Sequence, residues 1–142
     1  MSNETDSSAI SLLSEILAAD QVVRSRLSRV LPKGMELSHF SVLNQLAWHG
    51  EERTPAQLAE VFNLTRGAIT NTLSKLEAAG HVHIRPDWDD ARRKLVAISP
   101  AGRRARDEAL AAIAPVFREI ALQIGADDIR VAIRTLRALR SG

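Results

Sequence analysis

The sequence contains no cysteine. Disulfide staples, thiolate zinc sites, cysteine nucleophiles and thiol-based redox sensing are therefore excluded, and the composition fits a reducing compartment. No apolar run approaches the roughly 20 residues that span a bilayer as a helix, so no membrane partner is expected. There is no Gly-rich phosphate loop, no nucleophile motif and no pair of carboxylates in an apolar setting. Neither an enzyme nor a bound cofactor is expected. The N-terminal stretch Met1 to Ser8 carries Glu4 and Asp6 rather than the basic region of a secretion signal, which points to the cytoplasm. Internal repeats and low-complexity tracts are also missing.

What is present is enough to build a core. The chain has 142 residues, 45% of them hydrophobic and 25% charged, the size of one ordinary domain or of a compact unit with an appendage. Its formal charge of +2 conceals a segregation. Residues 61–106 hold nine Lys/Arg against four acids, whereas the remainder holds ten against thirteen. A basic middle between more acidic ends is the outline of a polyanion binder.

Residues 1–8 are polar and expected to fray. From Ile10 to Leu31 the apolar positions Ile10, Leu13, Leu17, Val23, Leu27, Val30 and Leu31 recur in steps dominated by three and four, as on an amphipathic helix. Pro32-Lys33-Gly34 breaks it. Ser38 is the expected N-cap of a second helix carrying Phe40, Leu43, Leu46 and Ala47, which ends at His49-Gly50. In Thr54-Pro55-Ala56-Gln57 a capping box coincides with a proline at the first helical position. It opens a short third helix with Leu58, Ala59 and Phe62 inward. After Asn63-Leu64, Thr65 caps a fourth helix to Ala79, closed by Gly80, with Ile69, Leu73 and Leu76 as its apolar stripe. Val82 and Ile84, then Leu95, Val96 and Ile98, predict two antiparallel strands around a polar turn from Pro86 to Arg92. Ser99-Pro100 opens a fifth helix through Leu110, Ile113, Val116, Phe117 and Ile120, with Pro115 expected to kink it. Gly125 separates a last helix with Ile129, Ile133, Leu136 and Leu139 inward.

The middle of this order reads helix, helix, short turn, helix, strand, turn, strand. Two helices joined by a tight turn form a helix-turn-helix, whose second helix enters the DNA major groove. With Ile69, Leu73 and Leu76 buried, the outward residues are Arg66, Gly67, Thr70, Asn71, Ser74 and Lys75. Arg66 can grip guanine and Asn71 adenine with two bonds each, and the Thr70 methyl can touch thymine. Lys75 and Ser74 suit phosphates, Gly67 permits close approach, and the helix dipole at Thr65 favours a phosphate. In the hairpin turn, Asp90 is spaced to brace Arg92. A braced Arg92 could enter the minor groove, while Arg93 and Lys94 add phosphate contacts. Residue by residue, each of these is also what a solvated helix face or charged hairpin would carry; the argument rests on the set.

The set resembles the MarR family of bacterial regulators. The resemblance is carried by Thr54-Pro55-Ala56-Gln57-Leu58-Ala59, Leu64-Thr65-Arg66-Gly67-Ala68-Ile69-Thr70 and Leu73-Ser74-Lys75-Leu76-Glu77-Ala78-Ala79-Gly80. It continues in Asp90-x-Arg92-Arg93-Lys94 and Ile98-Ser99-Pro100-Ala101-Gly102, covering about residues 37–102. It implies a mainly α fold with a small β-hairpin wing: a winged helix-turn-helix domain (37–99) between an N-terminal dimerisation arm (1–36) and C-terminal dimerisation helices (100–142). It also implies a triangular homodimer on near-palindromic double-stranded DNA, repression of the protein's own operon, and a small aromatic or anionic effector. By position, Arg26, His39, Phe40 and Leu43 are the candidate effector pocket, and ordinary packing is at least as good an account of them. Dimerisation has an independent ground, because the apolar faces of the first and last two helices exceed what one small winged domain can cover.

Two residues depart from the family pattern. His81 stands where Leu or Ile is usual, and Trp88 is an unusual wing residue. His81-x-His83, with His39 and His49 on the second helix, raises a metal-responsive regulator of the same fold as an alternative. Four scattered histidines without cysteine are a thin donor set, and no metal is expected. A protein-interaction module that no longer binds DNA is the other alternative, and the basic recognition face argues against it.

Overall fold

A computed structural model describes residues 3–142. Its elements run α1 (Asn3–Val30), α2 (Leu37–His49), α3 (Pro55–Phe62), α4 (Arg66–Ala78), β1 (Val82–Pro86), β2 (Lys94–Ile98), α5 (Pro100–Ile124) and α6 (Ala126–Ser141). The fold is mainly helical with one antiparallel hairpin, as the pattern predicts. The chain divides into two compact units, Leu31–Leu110 and Met1–Val30 with Ala111–Gly142.

In the first unit, α2, α3, α4 and the hairpin share one core. It contains Val42, Leu43, Leu46, Leu58, Ala59, Ile69, Leu73, Leu76, Val82 and Val96, with Phe62 packed at its edge. The stripe on α4 is therefore placed as expected. The hairpin pairs Val82 with Ile98 and Pro86 with Lys94 at its two ends. Arg53, just before α3, bridges Val96 through both backbone bonds, at 3.0 and 2.7 Å. That bridge ties the helix-turn-helix to the hairpin.

The caps explain most boundaries. Thr54 Oγ1 accepts from the Gln57 N–H at 3.1 Å, and Gln57 Oε1 accepts from the Thr54 N–H at 2.9 Å. Asn63 ends α3 with φ 51°, in the left-handed region that Asn tolerates best after Gly. Thr65 Oγ1 accepts from the Ala68 N–H at 3.1 Å and opens α4. Two boundaries differ from expectation. Helix α1 starts at Asn3 rather than after residue 8, because Glu4 and Asp6 sit in its first turn and suit the positive end of the dipole. Helix α2 starts at Leu37 with Glu36, not Ser38, at the N-cap. There His39 Nδ1 accepts the Glu36 N–H at 3.4 Å, the reach-back that Glu or Gln makes in a capping box.

In the second unit, Leu27, Ile113 and Val116 are buried, and Arg26 donates to Glu119 Oε2 at 2.8 Å. Helix α5 runs without interruption through Pro115, and the chain bends by 101° at Gly125. The expected inward faces are covered only in part. Helix α6 has no buried residue, and Ile133, Leu136 and Leu139 are exposed. So are Leu110 and Phe117 on α5, and Ile10, Leu13 and Leu17 on α1. Among the described residues, no single helix is long and apolar enough to cross a membrane.

Candidate nucleic-acid interface

The face of α4 opposite the core is open. Thr65, Arg66, Gly67, Thr70, Asn71, Ser74 and Lys75 are all exposed, while Ile69, Thr72, Leu73 and Leu76 are buried. Thr72 is the inward residue that periodicity alone missed. Its hydroxyl donates to the Ala68 carbonyl at 3.2 Å, so a polar residue sits inward without an unmet hydrogen bond. Lys75 Nζ lies 3.9 Å from Glu36 Oε1, which partly occupies it. Among the described residues Arg66 and Lys94 form no ion pair, and their charge remains available.

The wing tip is two consecutive turns. The Asp90 N–H donates to the Asp87 carbonyl at 3.2 Å, the Arg93 N–H to the Asp90 carbonyl at 3.0 Å, and the Asp87 N–H closes the loop on Arg93 O at 3.0 Å. Each turn is locked by a carboxylate. Asp90 Oδ1 accepts from Arg92 N at 3.1 Å and from Arg92 Nε at 3.2 Å, the pairing its spacing allows. Asp87 is buried. It accepts from the Asp89 N–H at 3.0 Å and from Arg93 Nη2 at 2.8 Å. The Asp89 backbone bond first, and the Arg93 guanidinium second, hold the Asp87 carboxyl below the usual carboxylate range. Two of the three acids of the turn, Asp87 and Asp90, which would repel phosphate if left free, are thus answered within the loop. Arg92, whose side chain is 91% exposed, points its charge to solvent. The Asp87–Arg93 pair was not foreseen.

A second brace lies at the base of the wing. Arg85 meets the Glu52 carboxylate as a fork, with Nη2 2.6 Å from Oε1 and Nε 2.9 Å from Oε2. The partners are 33 residues apart, so no local pattern signals the pair. On its other side Arg85 lies 5.4 Å from the Trp88 ring centroid. Between the start of α3, the start of α4 and the wing runs a groove of about 360 Å3, lined by Arg66, Thr70, Arg92, Arg93 and Lys94 among others. The fold thus brings Arg66 and Thr70 of α4 and residues 92–94 of the wing to one cationic groove, while Thr65, Gly67, Asn71, Ser74 and Lys75 lie on the exposed face of α4 without lining it.

The other candidates are dispersed. Leu43 is fully buried in the core and Phe40 is buried on α2. The Nε2 atom of His39 is buried without a hydrogen bond, 3.7 Å from Glu36 Oε2. Arg26, on α1, is occupied by Glu119. Among the described residues, no group of three or more His, Asp or Glu side chains converges as metal ligands would. Of the two histidines near the wing, His83 is exposed on β1, while the His81 backbone packs against the start of α5.

Residues 33–93 match the MarR family. The chain is 26% identical over 108 residues to the uncharacterized HTH-type transcriptional regulator YdgJ of Bacillus subtilis (strain 168), covering 76% of this chain and 65% of that protein. The transcriptional regulator BldR of Sulfolobus solfataricus superposes with a TM-score of 0.85 at 25% identity, covering 99% of each chain. A mutant MarR from E. coli, solved in complex with operator DNA, superposes with a TM-score of 0.83 at 23% identity, covering 93% of this chain and 95% of its own. The helix-turn-helix, its doubly braced wing and these likenesses point one way: residues 33–93 match the MarR family, and the chain has the fold of these solved regulators.

Proposed function

We propose that the chain is a sequence-specific DNA-binding transcriptional regulator that represses from a near-palindromic operator as a homodimer. One observation carries the reading: Arg66 and Thr70 on the outward face of α4 share an open groove with the wing cations, with Asp87 and Asp90 of the loop turned to bracing. Arg66, Gly67, Thr70 and Asn71 face base edges. Thr65, Ser74, Lys75, Arg93 and Lys94 hold phosphates, and Arg92, braced by Asp90, enters the minor groove. That the E. coli MarR mutant, which shares this fold, was solved with operator DNA supports DNA as the partner.

The dimer reading rests on the uncovered apolar faces of α1, α5 and α6. Stretches of exposed Leu, Ile and Val on three helices exceed what a soluble monomer ordinarily shows to water. Residues 1–36 and 100–142 serve as the dimerisation arms and 37–99 as the DNA-binding domain. A two-fold pair would set two recognition helices on half-sites about 34 Å apart. The place of action is the cytoplasm. A small aromatic or anionic effector, for which Arg26, His39, Phe40 and Leu43 stay the candidates, would shift the dimer between DNA-competent and incompetent spacings.

The test is binding to the DNA upstream of the chain's own gene, footprinted and titrated across salt. Three phosphate-directed cations per subunit, Lys75, Arg93 and Lys94, put the fall in affinity at about a thousandfold between about 50 and about 200 mM salt. A panel of aromatic acids added to the same titration checks the effector. Affinity equal to that for random DNA at every salt concentration defeats the proposal.

A further inference from the structure

We infer that Trp88 is a second minor-groove probe, an apolar one set beside Arg92, which adds affinity that salt does not weaken. The inference rests on the DNA-binding reading above and adds to it a residue and a mode of contact.

Trp88 occupies the corner of the first turn of the wing, between Asp87 and Asp90, and its side chain is 78% exposed. Arg92 occupies the corner of the second turn. These are the largest exposed side chains of the tip, one a flat apolar ring and the other a cation. An exposed indole has a large apolar area to bury against a covering surface. The ring is also held. Arg85 stacks 5.4 Å from its centroid, and Glu52 fixes that guanidinium with two hydrogen bonds. Trp88 therefore has the Arg85 guanidinium as a platform on one side and an open face on the other.

The neighbours choose the partner. Arg92, Arg93 and Lys94 surround the tip with positive charge and line the groove shared with α4. A duplex that fills that groove brings the wing tip to the edge of the minor groove. There, apolar side chains wedge against base steps and sugar walls, most cheaply at flexible pyrimidine–purine steps. Asp89 is exposed beside the ring, and its carboxylate lies outside the loop's hydrogen bonds. It opposes the approach of phosphate, so Asp89→Asn is expected to tighten binding.

The experiment uses the full chain carrying Trp48→Phe, which leaves Trp88 as the single indole; Trp48 lies on α2 outside the groove and is 79% exposed. Acrylamide quenching of Trp88 fluorescence is measured free and bound to a duplex recovered from a randomised pool by selection with the wild-type chain. The expected result is strong protection in the complex. Trp88→Ala is expected to weaken binding about tenfold with the salt slope unchanged, and Trp88→Phe to keep most of the affinity. Quenching as efficient in the complex as in the free protein overturns the inference, whether or not Trp88→Ala folds. So does a well-folded Trp88→Ala that binds like its parent while Arg66→Ala does not, and then the DNA-binding reading survives alone. If selection recovers no duplex at all, both fall together.

Discussion

At Gly102 there is no room for a methyl group. A Cβ there would lie 2.0 Å from the His81 carbonyl oxygen and 2.9 Å from Ile98 Cγ1. The obstacle is backbone, which cannot step aside as a flexible side chain would. Ser99 fixes the same junction, accepting from the Gly102 N–H at 2.9 Å while donating to Gly80 O at 2.6 Å. Gly102→Ala is expected to destabilise the fold by about 3 kcal/mol, seen as a fall of several degrees in melting temperature. Three substitutions on α4 separate base reading from phosphate grip. Arg66→Ala or Asn71→Ala should cost about 1–3 kcal/mol and relax operator preference. Lys75→Ala should weaken all sequences alike and lower the salt slope by about 1 per subunit. Competition titrations with scrambled operators read both effects. At this scale the sequence disclosed some partners that are close along the chain, though not Glu36 with His39 or Asp87 with Arg93. Asp90 and Arg92 are two residues apart, and Thr54 and Gln57 three. Glu52 and Arg85 were hidden because tertiary contacts, the Arg53–Val96 bridge among them, bring their segments together.

Among the elements, the wing is the one whose order depends on ionisation. The Asp87 carboxyl is held below its ordinary range by the Asp89 N–H and the Arg93 guanidinium, so it binds a proton less readily folded than unfolded. The stability it contributes is therefore full above the ordinary carboxylate value of about 4 and is lost as pH falls below it toward the depressed folded value. Scanning pH downward while following Trp88 fluorescence in the Trp48→Phe protein should show the tip loosening in that window, and Asp87→Asn should abolish the transition. Element identity was legible throughout, because helix and strand periods differ and the caps carry their own chemistry. The starts of α1 and α2 were less so. A polar first turn resembles a frayed tail, and Glu36 with His39 does the work that Ser38 was expected to do. Thr72 was passed over because a hydroxyl that bonds its own helix can face inward.

For the whole molecule the informative residues are those without cover. Ile10, Leu13 and Leu17 on α1 and Ile133, Leu136 and Leu139 on α6 face water in a single chain. Periodicity identified the apolar sides of these helices, but it does not say whether the covering surface belongs to the same chain or to a second one. Leu17→Asp and Leu136→Asp are expected to shift sedimentation from dimer to monomer and to lower operator affinity by far more than any single groove substitution, because half of the contact surface is lost. A wild-type chain that sediments as a monomer at micromolar concentration contradicts this.

The double turn of the wing has an evolutionary corollary. Its shape is held by Asp87, Asp90, Arg92, Arg93 and backbone bonds, whereas the side chains of Trp88, Asp89 and Ala91 hang outside that lattice. The outer three positions can drift while the scaffold stands, so related regulators could acquire new operator tastes by exchanging fingertips on an unchanged hand.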